Sequence, residues 1–361
     1  MDGRQRMGVA LRGGMPDRVP AFLRDLTLGL DVIDVPTPRV CAGDFDAELS
    51  SQAVVAAQRC LGHDAVVGSI QFCGLETEML GGKLRFSERG IPTILRPPFA
   101  DPEDVDRAQL PDPLTDEPLA NVVRAYQLTS QRIGKEVAVL GNIEGAVTKA
   151  GMLRGLEALL MDLLTDRGLA ERTIEFAARL GEDLADALSS HGVNCSLFVA
   201  AASDNPDLIG PEDFRTYSIP GLRRIVEVGE SSDLPTVFHP HGIFTDPQFS
   251  YLVRESLDQG IAGFQFAERN DLALAKQEWG SETCILGGVD AFTTLLLGPG
   301  GRIVRETEEC LENCGPSGYV MMCSCSLHRG MPLGNVRTMV DACHRWNGRE
   351  GAHDRSADAL G

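Results

Sequence analysis

The residues best suited to chemistry lie in two short stretches far apart in the chain, FHPHG at 238–242 and MMCSCSLHRG at 321–330. Side chains two positions apart on extended backbone point the same way, so His239 and His241 can address one ion. Zinc is the natural candidate, because it accepts imidazole and thiolate in tetrahedral geometry and a catalytic zinc keeps one position open. Cys323 and Cys325 form a second same-face pair. Cys325 is the preferred third ligand and Cys323 its alternative; the spacing alone does not separate them. Two hydrogen-bonded histidines at a strand end are the plainer reading of H-x-H, and the cysteines on a neighbouring element favour the metal.

Four carboxylates join them. Glu144, Asp204 and Glu268 suit general acid/base work or the orientation of a substrate, and Asp290, within GGVDAFT, is assigned to cofactor binding. Each is equally at home as a helix N-cap or a solvated loop charge, Asp290 most clearly so. Cys310 and Cys314, four apart on a helical stretch, read as small buried packing residues. His328, His344 and His353 fall in loop, helix and tail contexts, and His63 and His191 precede strands at the opposite end from the candidate site.

These residues need a scaffold. Short β-branched or aromatic runs bounded by turn residues predict eight strands, at 19–22, 64–69, 137–141, 196–200, 236–239, 262–266, 284–288 and 319–323. Amphipathic stretches between them predict helices over 46–61, 117–133, 152–164, 168–190, 211–228, 247–258, 301–314 and 332–346. Strand and helix in alternation make a parallel sheet with crossover helices. Eight such units predict a single (β/α)8 barrel over residues 1–347, and no G-x-G-x-x-G turn follows an early strand to favour a dinucleotide fold. Residues 70–115, with KLRF and PTILRP, read as a hairpin inserted after the second strand, and 348–361 as a disordered tail. Asn142, Glu144, Ser203, Asp204, His239, His241, Glu268, Asp290 and Cys325 all then follow strand C-terminal ends, the rim that carries active sites in this architecture.

Composition narrows the partners. Lys and Arg total 33 against 52 Asp and Glu, and the resulting net charge of −19 argues against nucleic acid and anionic membranes. The N-terminal stretch has no apolar signal region and no window approaches the length of a spanning helix, so a cytoplasmic enzyme is expected. Ten scattered cysteines in a chain of this size read as mostly reduced and buried.

With the rim assembled, the chain resembles the uroporphyrinogen decarboxylase superfamily over nearly its whole length. The resemblance is carried by ALRGGMPDRVPAF, LETEMLGGKLRF, SDNPDLIGPEDFRTYSIPGLRRIV, FHPHG, LGGVD and CSLHRGMPLGNVRTMVDA, in that order. It implies a (β/α)8 barrel with its pocket at the C-terminal rim. True decarboxylases of the family carry an arginine-rich segment after the first strand that grips the substrate's carboxylates; here AFLRDLTLGLDVIDVP offers Arg24 alone. The other branch comprises zinc-dependent, corrinoid-linked methyltransferases, whose ligands are H-x-C after the fifth strand and a cysteine seven residues before a proline. His239 matches the first, and Cys325, seven before Pro332, the last. His241 stands where that branch has cysteine, so the implied set is two histidines and one cysteine.

Imidazole in place of thiolate leaves more positive charge on the ion, which favours polarising an oxygen over activating a thiol. The resemblance thus implies methyl transfer between a small donor, with a methyl ether (O-demethylation) favoured, and the cobalt of a corrinoid held by a partner protein or supplied as a dissociable cofactor, since no D-x-H-x-x-G corrinoid motif is present. Transfer from methyl-corrinoid to a thiol such as coenzyme M is the first alternative. A metal-free decarboxylase and a non-catalytic corrinoid- or tetrapyrrole-binding barrel are the others.

Overall fold

The computed structural model describes residues 1–346; the predicted tail at 348–361 lies outside the described residues. One curled parallel sheet runs in the order β1 (Ala65–Val67), β4 (Ala138–Glu144), β5 (Ser196–Ala201), β6 (Thr236–Pro240), β7 (Gly263–Gln265), β8 (Cys284–Val289), β9 (Tyr319–Cys323). Its strands are buried almost throughout, as expected when helices cover one face and a packed interior the other. Between β1 and β4 the chain forms a separate antiparallel pair, β2 (Lys83–Arg85) with β3 (Thr93–Arg96), in which Leu84 faces Ile94.

The segment predicted as the first strand, at 19–22, makes single bridges instead of a ladder. Ala21 bridges Met321 on β9, and Phe22 bridges Ala65 on β1, so this segment joins the two edge strands of the sheet. The Phe22 amide donates to Met321 O at 2.9 Å, and Met321 N to Pro20 O at 3.0 Å; Pro20 has no N–H with which to extend the pairing. The result is a TIM-barrel-like α/β fold with seven regular strands in its main sheet. Phe22 and Phe198 meet across the interior with ring centroids 5.6 Å apart.

Two predicted helices are divided. A single helix at 152–164 gives way to Ala146–Arg154 and Leu156–Thr165, broken at Gly155, whose φ of 87° suits glycine. The stretch 211–228 contains a wide π turn over Phe214–Ser218 before the regular helix Ile219–Ser231. Pro220 has no N–H to return to the carbonyl four residues back, which is where such a widened turn relieves the ladder. Helices at Gly3–Leu11 and Leu272–Trp279 were not among those predicted; both are short. Among the described residues no helix is long and apolar enough to cross a membrane.

Candidate metal centre and active site

Strand register brings the first candidates level with each other. Glu144 on β4 pairs with Ala200 on β5, and Ala200 with His239 on β6, so the carboxylate and the imidazole occupy one layer at the strands' C-terminal ends. The chain leaves β6 through Pro240, and the His241 amide donates to Ala201 O at 3.3 Å, which holds the second imidazole beside the first. The two rings lie 4.9 Å apart between centroids. Cys325 arrives from the loop after β9 with Sγ 3.8 Å from His241 Nε2. The ligating atoms of His239, His241 and Cys325 all fall within 4.8 Å of one another.

His239 is 1 % exposed, and among the described residues neither ring nitrogen has a hydrogen-bond partner. Orphaned buried nitrogens are costly, which calls for an occupant that uses their lone pairs. Burial, the neighbouring His241 and the Arg24 charge hold its pKa well below the ordinary imidazole value, so the neutral, ligating form prevails at pH 7. Burial pushes the Cys325 thiol up, but the hydrogen bond with His241 and the Arg24 charge outweigh it and bring the thiol down to about 7. The set of two imidazoles and one thiolate fits zinc in donor type and number. Cys323 is placed otherwise: it is fully buried, its thiol is pushed up to about 12 and donates to Cys325 O at 2.9 Å, and it is not one of the three clustered residues.

The Cys325 loop is laced to the segment after Phe22. Leu327 N donates to Arg24 O at 2.9 Å, and Leu26 N returns a bond to Leu327 O at 3.0 Å. Arg329 lies 2.7 Å from Asp31, whose second oxygen accepts from Gly330 N at 2.8 Å. From the other side Gln265 Nε2 donates to Cys323 O at 3.1 Å and Ser324 O at 3.2 Å. The loop that carries the thiol is thus held by two distant parts of the chain, residues 24–31 and Gln265.

The carboxylates separate into different roles. Glu144 Oε2 lies 3.0 Å from Lys149 Nζ, and Glu76 contacts the same ammonium with both oxygens at 2.7 Å. Burial alone would lower Lys149, yet Glu144 and Glu76 hold it above the ordinary lysine value. Asp204 is a structural cap: it is 1 % exposed, and accepts from Thr148 N at 2.9 Å, Thr148 Oγ1 at 2.7 Å and Val147 N at 3.3 Å, which occupies it at the start of the helix Ala146–Arg154. Asp290 likewise caps its own turn, its Oδ1 accepting from Phe292 N at 2.8 Å and Thr293 N at 2.7 Å, which is the N-cap reading set beside its cofactor role. Glu268 shares an outer groove of about 470 Å³ with Asp290, Arg302 and Glu306, and none of the three cluster residues lines that groove.

Lys149 and Glu76 were not singled out from sequence, whereas Arg24 and Asn142 were named there. Lys149 and Glu76 complete the ion cluster on Glu144, and Arg24 lies over the Phe198 ring at 5.4 Å while donating to Asn142 Oδ1 at 2.8 Å. A lone lysine in the small and apolar run GAVTKAGML was the available signal for the first, since a buried lysine demands a partner.

Known proteins resemble this chain over nearly its whole length. The family described as uroporphyrinogen decarboxylase (URO-D) matches residues 2–346. The chain is 24% identical to a methylcobamide:CoM methyltransferase of Methanosarcina barkeri over 341 residues, covering 93% of this chain and 96% of that one. It is 24% identical to a methylated-thiol–coenzyme M methyltransferase of Methanosarcina mazei, covering 94% and 88%. A solved methyltransferase structure from Methanosarcina mazei superposes with a TM-score of 0.81 at 23% identity, covering 95% of this chain and 98% of that one. The chain belongs to the uroporphyrinogen decarboxylase family, as an enzyme of its methyltransferase kind.

Proposed function

We propose that the protein is a zinc-dependent methyltransferase that moves a methyl group between the cobalt of a corrinoid carried by a partner protein and a small thiol. The observation that carries the reading is His239: buried, with both ring nitrogens orphaned, and grouped with His241 and Cys325 within 4.8 Å. These three residues would hold the zinc, which when bound supplies Lewis acidity that favours the deprotonated form of a thiol. The expectation of a methyl ether donor gives way here to the thiol alternative. It rested on the single imidazole-for-thiolate replacement, whereas the named relatives transfer methyl groups to or from thiols.

The chain's own groups then have defined tasks. Lys149, clamped by Glu76, fixes Glu144 in the layer of His239, and Glu144 Oε1 is the atom assigned to take up the thiol proton. As the sulfur–carbon bond forms, the cobalt–carbon bond breaks and its electron pair stays on cobalt. The strand ends that carry the cluster, β6 through Pro240 and β9 through Cys323, are buried.

The test is zinc content of anaerobically purified protein, beside methyl transfer from methylcobalamin to 2-mercaptoethanesulfonate. Near one equivalent of zinc, lost in His239→Ala, His241→Ala and Cys325→Ser together with transfer, is expected. A parent that binds no zinc and still transfers methyl would sink the metal assignment; zinc without transfer to any thiol would sink the thiol assignment.

A further inference from the structure

The helix Leu156–Thr165 buries Leu159, Asp162 and Leu163. By helical period Leu156, Met161 and Leu164 share its other side. All three are exposed, Met161 at 52 % and Leu164 at 82 %. A helix side that ends in water carries polar residues, and clustered apolar side chains there mark a contact surface. Leu156 and Met161 line a groove of about 540 Å³ together with Pro97, Ala100 and Glu157. None of His239, His241 and Cys325 lines it, so this surface is separate from the metal candidates.

Charge is sorted on either side of the groove. The chain reaches Pro97 from the β2–β3 hairpin, where residues 83–96 hold four basic side chains and one acidic, the reverse of the whole chain at 33 to 52. Arg89 pairs with Asp34, but Lys83, Arg85 and Arg96 are exposed and have no ion pair among the described residues. Lys83 and Arg96 even face each other in register, a juxtaposition that like charges disfavour. Beyond Ala100 the chain enters DPEDVD at 101–106, with four acids in six residues. Asp106 meets Arg172 and Asp104 lies 3.9 Å from Arg107, whereas the exposed Asp101, Glu103 and Glu157 have no cation among the described residues. Pro97 and Ala100 stand between the two charged ends, so the order is basic, apolar, acidic.

We infer that this surface joins two copies of the chain about a two-fold axis through the apolar groove. A two-fold rotation reverses the order on the second copy, so the basic hairpin of each copy lies against the Asp101 and Glu103 segment of the other. The unpaired charges are then matched twice, and the opposed Lys83 and Arg96 gain acidic neighbours. Leu156, Met161 and Leu164 supply the apolar centre, while the charged ends set the register. A partner of one charge sign would satisfy one end and face like charge at the other, which is why a second copy fits and a uniformly acidic or basic protein does not. The inference is independent of the methyl-transfer reading.

The test is sedimentation velocity of the full chain between about 1 and 100 µM, beside Leu164→Glu, the double variant Arg85→Glu with Arg96→Glu, and the double variant Asp101→Lys with Glu103→Lys. Each variant is first checked for an unchanged melting transition, which substitutions at exposed positions should leave alone. The parent should sediment as a dimer. Leu164→Glu, which enters the interface twice, should weaken it by at least about 30-fold, the loss of one central contact. Each charge-reversed variant should be monomeric alone, because its two ends now repel their counterparts, and an equimolar mixture of the two should form a mixed dimer. A parent that stays monomeric throughout would hand the surface to a different protein and overturn the inference. A dimer that Leu164→Glu leaves intact uses another face and overturns it as well. So does a failure of the two charge-reversed variants to associate on mixing.

Discussion

Cys325 Sγ lies 3.8 Å from His241 Nε2 although 84 positions separate them in the chain. The contact joins the end of β6 to the loop after β9 and turns two weak local motifs into one three-residue cluster. Cys323, two positions earlier, donates its thiol to Cys325 O and is not one of the three clustered residues. Cys323→Ser should keep the parent's zinc stoichiometry, and Cys325→Ser should lose it, by elemental analysis of both proteins. Retention in Cys325→Ser with loss in Cys323→Ser would reverse the assignment.

Asp204→Ala should destabilise the protein by about 2 kcal/mol in urea unfolding, since it leaves the Thr148 and Val147 amides and the Thr148 hydroxyl without their acceptor. Zinc content should not change. A large fall in turnover at unchanged stability would return Asp204 to the chemistry.

Lys149→Met should be far more damaging than its volume change implies. It strands Glu76 and Glu144 as neighbouring buried anions, and breaking a buried ion pair from one side costs about 3–5 kcal/mol. Adding Glu76→Gln should restore part of that loss, measurable as a positive coupling in a double-mutant cycle. Additive losses would show that the two side chains act independently.

Asp25 makes stability fall as pH rises through its titration. Burial drives its folded pKa up to about 7 against the Leu28 and Gly29 amides, and Oδ2 has no partner. An unfolded carboxyl titrates near about 4, so the penalty is absent below that, grows between about 4 and 7, and is complete above. Asp25→Asn keeps an oxygen for Leu28 N. It should leave stability nearly unchanged at pH 4 and raise it by about 2–4 kcal/mol at pH 8. An equal gain at both pH values would show that charge is not the cause.

Strand periodicity located the seven strands of the main sheet because their apolar runs answer to burial on both faces, a property written locally. The rim placement of Glu144, His239, His241 and Cys325 followed from those strand ends. The residues that bind this rim together were harder to read. Arg24, Glu76 and Lys149 each sit in an ordinary-looking segment, and their meaning arises only from partners or the lack of them.

The sequence by itself determined the alternation of strand and helix, the His and Cys residues of the candidate cluster and the acidic balance, since each depends on composition or short-range spacing. Tertiary structure decided which sulfur lies beside His241, that Asp204 and Asp290 are caps, and that Arg24 has no counter-ion among the described residues. Those outcomes depend on where carbonyls, amides and carboxylates from remote segments fall to within a hydrogen-bond length, which a one-dimensional pattern does not specify.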